Sequence, residues 1–95
     1  MIIVENMAVR SAEIPVYREE DLHLRPMQLL AEKAVGFRSK LRLSRGKKLA
    51  DAKSILDVMT LAAEKGPIRL EADGEDADEA VEALVILLNK EVNKV

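Results

Sequence analysis

The 95 residues, 10.6 kDa, suffice for one domain with one hydrophobic core and are too few for two. Lys+Arg of 15 against Asp+Glu of 17 leave a formal net charge of −2, which offers no bulk attraction for nucleic acid. The absence of Cys removes disulfides, thiol chemistry and cysteine metal sites, and one His is a poor basis for a zinc site. Tyr17 and Phe37 are the only aromatic residues, so the core must be aliphatic and base-stacking platforms are nearly excluded. The opening MIIVENMAVR has neither the basic nor the long apolar region of a secretory signal, and no stretch is apolar enough to span a membrane. These features predict a cytoplasmic protein with no membrane insertion.

Residues 1–9 read as an unassigned extension of a single domain covering 1–95. Alternation over Arg10 to Tyr17 predicts a strand with Ala12, Ile14 and Val16 on one face. Pro15 cannot donate to a ladder, which places that strand at an edge or bulge. The acidic run Glu19, Glu20, Asp21 leads into Leu22-His23-Leu24-Arg25-Pro26. Pro26 suits a first helical turn, Met27, Leu30, Ala31 and Ala34 follow at helical spacing, and Gly36 marks the stop. His23 therefore stands at the amino end of a helix. From Phe37 to Leu43 the period becomes two, with Phe37, Ser39, Leu41 and Leu43 facing inward and Arg38, Lys40 and Arg42 forming a basic outer face. Ser44-Arg45-Gly46-Lys47 predicts a turn, and Lys48 to Asp51 a return strand.

Ser54 looks like an N-cap, with Asp57 three residues on as an acidic capping-box partner. The helix it opens should run from Ile55 to about Glu64 and end at Lys65-Gly66-Pro67. Ile68, Leu70 and Ala72 alternate as a last strand, and Gly74 turns the chain. Glu75, Asp76, Asp78 and Glu79 suit the amino terminus of a final helix. Its buried face should be Ala77, Ala80, Val81, Leu84, Leu87, Leu88 and Val92. The predicted order is β-α-β-β-α-β-α, an α/β (α+β) open-faced sandwich. A four-stranded antiparallel sheet would carry three helices on one face.

The segment Leu22-His23-Leu24-Arg25-Pro26 resembles the phosphorylation-site motif of the HPr family. These are the histidine-containing phosphocarriers of the bacterial phosphoenolpyruvate-dependent sugar phosphotransferase system. Ala52 to Met59 and Gly74 to Ala80 resemble the same family at matching spacing, so the likeness spans about Arg10 to the C-terminus. The resemblance implies the HPr-like fold and a phosphoacceptor at His23, reacting through Nδ1. The sequence itself does not choose the ring nitrogen. It further implies phosphate binding by Arg25, helix-start geometry set by Pro26, and a docking patch of Leu24, Ile55, Leu56 and Met59. Ser54 matches the serine that a dedicated kinase/phosphorylase modifies in part of the family. The implied partners are Enzyme I and Enzyme IIA-type phosphoacceptors. The carrier would be a monomer that acts as a stoichiometric intermediate rather than an enzyme, and it would need no cofactor, metal or nucleic acid.

General physics agrees with these roles. A helix amino terminus offers free amides and partial positive charge, an anion site that also disfavours imidazolium. A guanidinium presents a planar fork to phosphoryl oxygens. Ser54 has a simpler explanation as a cap. Two departures oppose efficient transfer: Asp21 stands where the family usually has Gly, and Leu24 where it usually has a small residue. Asp21, with Glu19 and Glu20, brings negative charge toward the phosphate site and disfavours the phosphorylated form. Asp57 places a carboxylate one turn from Ser54. The alternative reading is therefore a divergent regulatory module controlled at Ser54, with little or vestigial carrier activity. A more distant one is a nucleic-acid module using the basic run from Lys33 to Lys53.

Overall fold

The computed structural model describes residues 9–17 and 22–93. The first strand, β1, is Val9–Ile14, so Val9 belongs to the sheet and not to the N-terminal extension. The ladder stops before Pro15, which lacks an N–H to donate, and Val16 and Tyr17 lie beyond it. Helix α1 spans Leu24–Val35 and buries Met27, Leu30, Ala31 and Ala34, the positions that helical spacing selects, together with Pro26. Gly36 ends α1 in an ordinary right-handed conformation (φ −74°), so the stop makes no use of glycine's freedom.

Strands β2 (Lys40–Arg45) and β3 (Lys48–Asp51) form the expected hairpin, with Gly46 at φ 58° in the turn. Strand β2 starts at Lys40, not Phe37, and includes Ser44 and Arg45, which the sequence places in the turn. The late start has a specific cause. The amides of Arg38 and Ser39 donate to the Asp76 carboxylate, at 2.8 and 2.9 Å, rather than to a ladder. Arg45 lies on the inner face, only 1% exposed. Its Nε donates to the Gly66 carbonyl at 2.7 Å and its Nη1 to the Leu61 carbonyl at 3.1 Å. Those bonds repay part of the cost of burying a guanidinium.

Helix α2 is Ile55–Met59, shorter than the sequence predicts, and tightens into a 3-10 turn over Thr60–Ala63. Thr60 donates its hydroxyl to the Asp57 carbonyl at 2.7 Å. The narrower winding aligns Val58 with Leu61, three residues on, and both are fully buried. Strand β4 is Ile68–Asp73, and α3 is Ala77–Val92. Ala77, Ala80, Leu84, Leu88 and Val92 of α3 are buried, whereas Val81 and Leu87 pack against the core half-buried.

The sheet order is β1-β4-β2-β3 with antiparallel pairing throughout, so β1 is an edge strand as Pro15 requires. Helix α3 covers β1 and β4, α1 packs on α3 and α2, and α2 lies against β3. The core between these layers is aliphatic, with Ile14, Leu30, Leu43, Leu70 and Leu84 at its centre. Truncating any of these leucines to Ala should cost about 2–5 kcal/mol.

Among the described residues no element covers the opposite face of the sheet, and its charges are paired by register. Lys40 stands opposite Asp73, and Arg42 stands between Glu71 and Asp51. Glu13 faces Arg69 across the β1–β4 ladder. Arg42 Nη1 lies 3.5 Å from Glu71 Oε1, and Arg69 Nε lies 3.8 Å from Glu71 Oε2. The basic outer face read from β2 alone is thus one row of a mixed-charge surface, unlike the stripe that nucleic-acid binding needs.

One polar clasp joins the start of β2 to the start of α3. Besides the two amides, the Ser39 hydroxyl donates to Asp76 Oδ1 at 2.5 Å. This hydroxyl and the Arg38 and Ser39 amides lower the Asp76 pKa from 3.8 to about 2, against a smaller opposing effect of burial. Gly74 lies directly against the clasp. A Cβ there would fall 2.7 Å from the Ser39 Cα, so the position accepts only glycine.

Candidate functional site at the amino end of α1

His23 is the N-cap of α1, with extended backbone (φ −130°, ψ −170°) and an exposed side chain. That side chain makes no capping hydrogen bond. The imidazole is therefore presented to solvent at the positive end of a 12-residue helix. The amides of Leu24 and Arg25 have no intrahelical acceptor by position, and Pro26 has no N–H. The Met27 amide closes the first turn on the His23 carbonyl at 3.4 Å. Two donors thus remain for an oxyanion beside the imidazole. Arg25 is exposed, and the first turn holds no acidic residue.

The approach to His23 is held by a residue that periodicity passed over. Leu22 is buried, and with Met27 it has the spacing of a hydrophobic staple around the N-cap. Both side chains belong to the same core cluster. The signal was present in the sequence as an apolar residue just before the cap and another four positions into the helix. Glu19, Glu20 and Asp21 lie outside the described residues.

Ser54 caps α2 as expected, its Oγ accepting the Asp57 amide at 3.3 Å. The Asp57 carboxylate turns toward the hairpin, where its Oδ2 accepts the Asp51 amide at 3.2 Å. Asp51 in turn accepts the Lys53 amide at 3.0 Å, and Lys53 Nζ donates to the Phe37 carbonyl at 2.8 Å. The start of α2 is therefore fixed by its own polar side chains. Of the apolar patch, Leu24 (54% exposed) and Leu56 (79% exposed) face solvent. Ile55 is half-buried, and Met59 leans onto the core. Helix α1 packs on α2. No described helix is long and apolar enough to cross a membrane.

Known proteins share this outline. The family profile described as PTS HPr component phosphorylation site matches residues 10–90. The chain is 38% identical over 79 residues to the phosphocarrier protein HPr of Haemophilus influenzae, covering 82% of this chain and 93% of that protein. Its fold is similar to that of a histidine-containing phosphocarrier protein from Mycoplasma. That match has a TM-score of 0.79 and 30% identity, and it covers 85% of this chain and 93% of the other. It is also similar to the Bacillus subtilis catabolite repression protein Crh. There the TM-score is 0.65 at 39% identity, over 75% of this chain and 83% of the other.

Proposed function

Since the chain belongs to the HPr family, we propose that it is a phosphoryl carrier whose His23 accepts phosphate from phosphorylated Enzyme I. It then passes the group to an Enzyme IIA-type or regulatory acceptor protein. One observation supports this most directly. The amino end of α1 has a solvent-facing histidine, uncommitted amides, an exposed Arg25 and no carboxylate in its first turn.

A lone pair of the neutral imidazole attacks the donor's phosphorus, and the N–P bond forms as the donor's bond to phosphorus breaks. Charge on the transferring oxygens is met by the Leu24 and Arg25 amides and by the Arg25 guanidinium. The imidazole then becomes the leaving group when an acceptor attacks the same phosphorus. Pro26, buried and fixed in φ, keeps the first turn from relaxing as charge arrives. Leu24, Leu56 and the outer edges of Ile55 and Met59 supply the apolar surface on which partners dock. The carrier is a stoichiometric intermediate in the cytoplasm and is not itself an enzyme. Capping accounts for Ser54, so its position requires no modification by the kinase/phosphorylase.

Incubation with phosphoenolpyruvate and Enzyme I from the same organism should give an acid-labile, base-stable phosphate on the chain within minutes. Absence of label, with Enzyme I itself phosphorylated, overturns the proposal.

A further inference from the structure

The N-cap residues of the α-helices are fixed in different ways. Ser54 is fixed by its own hydroxyl, which accepts the Asp57 amide at 3.3 Å. Asp76 makes no capping bond, but its carboxylate accepts the Arg38 and Ser39 amides and the Ser39 hydroxyl. The His23 side chain is exposed and makes no capping bond, so it does not anchor the residue in either way. The extended backbone of His23 (φ −130°, ψ −170°) is therefore set by what flanks it.

Two anchors flank it directly. Leu22, bonded to His23, is 5% exposed, and Met27, four residues after His23, is 1% exposed. Both side chains belong to one core cluster. The Met27 amide also donates to the His23 carbonyl, but at 3.4 Å that bond is long and holds little by itself. An apolar pair before the cap and in the second turn sets the angle at which a chain enters its helix. That angle sets the direction of the Cα–Cβ bond at the cap, and so the direction in which the imidazole leaves the backbone. We propose that Leu22 and Met27 are positioning residues for the phosphoacceptor. They do for His23 what the capping hydroxyl does for Ser54, and they leave the imidazole free to react. The inference rests on the phosphocarrier reading. Both side chains are buried, so they act on the reaction only through the His23 backbone.

The test compares Leu22→Val with Leu70→Val in the full chain. Leu70 is fully buried in β4, where it pairs with Ala12 and Leu43, so its variant takes the same atoms from the core within the sheet rather than beside the N-cap. Both variants should lose stability in denaturant. In labelling by phosphoenolpyruvate and Enzyme I, well below either transition, the maximal rate of Leu22→Val should fall roughly three- to tenfold, because transfer is sensitive to small displacements of the reacting atom. Leu70→Val should keep the rate of the unsubstituted chain. The carrier concentration for half-maximal rate should stay the same in both, since neither residue belongs to the docking patch. In the unphosphorylated protein, the imidazole resonances of His23 should shift in the NMR spectrum of Leu22→Val and not of Leu70→Val. Met27→Leu keeps volume but changes shape. It should fold normally, lower the rate and shift the same resonances, so the outcome does not depend on one variant. A purely structural staple would lower stability and leave the rate and the resonances of Leu22→Val like those of Leu70→Val, which overturns the proposal. If the unsubstituted chain takes no label, the carrier reading fails, and the imidazole resonances alone decide whether the staple positions His23.

Discussion

The amino ends of α1 and α3 are built to opposite rules. The first turn of α3 contains Asp78 and Glu79, whose charges complement the helix dipole. The shorter α2 likewise has Asp57 in its first turn and the Ser54 hydroxyl as its cap. At α1 there is no acid in the first turn and no side-chain cap, and Arg25 places positive charge at the positive end. By the dipole preference of helices α1 begins unfavourably, with a cation where the other two place acids. Since α3 also lacks a side-chain cap, the feature that sets α1 apart from the other two helices is a first turn without acid that holds Arg25 instead. The unneutralised end is the one that an incoming phosphoryl group can neutralise.

The largest expected effect is at His23. In His23→Ala, labelling by phosphoenolpyruvate and Enzyme I should vanish, while the melting temperature stays within about a degree or two, since an exposed side chain that makes no capping hydrogen bond packs against little. Persistent label would move the site elsewhere. Arg25→Glu makes α1 resemble its sister helices, so the contrast itself becomes testable. Transfer should fall at least tenfold, while stability in denaturant rises by about 0.3–1 kcal/mol. A variant that is both less stable and equally active would remove the basis of the comparison.

A third test addresses the start of α3. Asp76 is held at about 2 in the fold, below its ordinary 3.8, so the ionised clasp contributes fully above the ordinary value. That contribution is lost as pH falls from about 4 toward about 2. Asp76→Asn should therefore destabilise the protein at neutral pH and flatten the acid side of its stability profile, measured by denaturant unfolding at several pH values. Parallel profiles for the two proteins would show that the carboxylate's charge is irrelevant. The smallest effect belongs to Ser54→Ala, which should lose about 1 kcal/mol of stability and leave the rate of His23 labelling unchanged. A changed rate would give Ser54 a part in transfer that capping does not explain.

The features legible in the sequence were those set by local rules. The inward residues of β4 follow from alternation, and the inward residues of α1 from helical spacing. The placement of His23 follows from Pro26 and the spacing after it. What escaped depended on partners distant in the chain. Arg45 reads as a turn residue beside Gly46, because only the Leu61 and Gly66 carbonyls, brought in by folding, make its burial tolerable. Ser39 fits the period of a strand, yet Asp76 takes its amide before the ladder can. The row of cations on β2 looks like a binding face until register sets Asp73, Glu71 and Asp51 beside it. Periodicity reports which way a side chain points, and only topology reports what it meets.

The open face of the sheet has a consequence for how the protein behaves in a crowded solution. Among the described residues the four-stranded sheet has one uncovered side and two edge strands, the kind of surface that can template strand-by-strand aggregation. Here the edge strand β3 is four residues long and begins at Lys48, while β1 stops at Pro15, whose ring cannot extend the pairing. Another copy approaching the bare face meets alternating charges whose partners are already supplied within the sheet, so stacking gains little. The proposed role as a stoichiometric carrier calls for quantity rather than trace, and these short, charged borders suit a protein kept at high concentration.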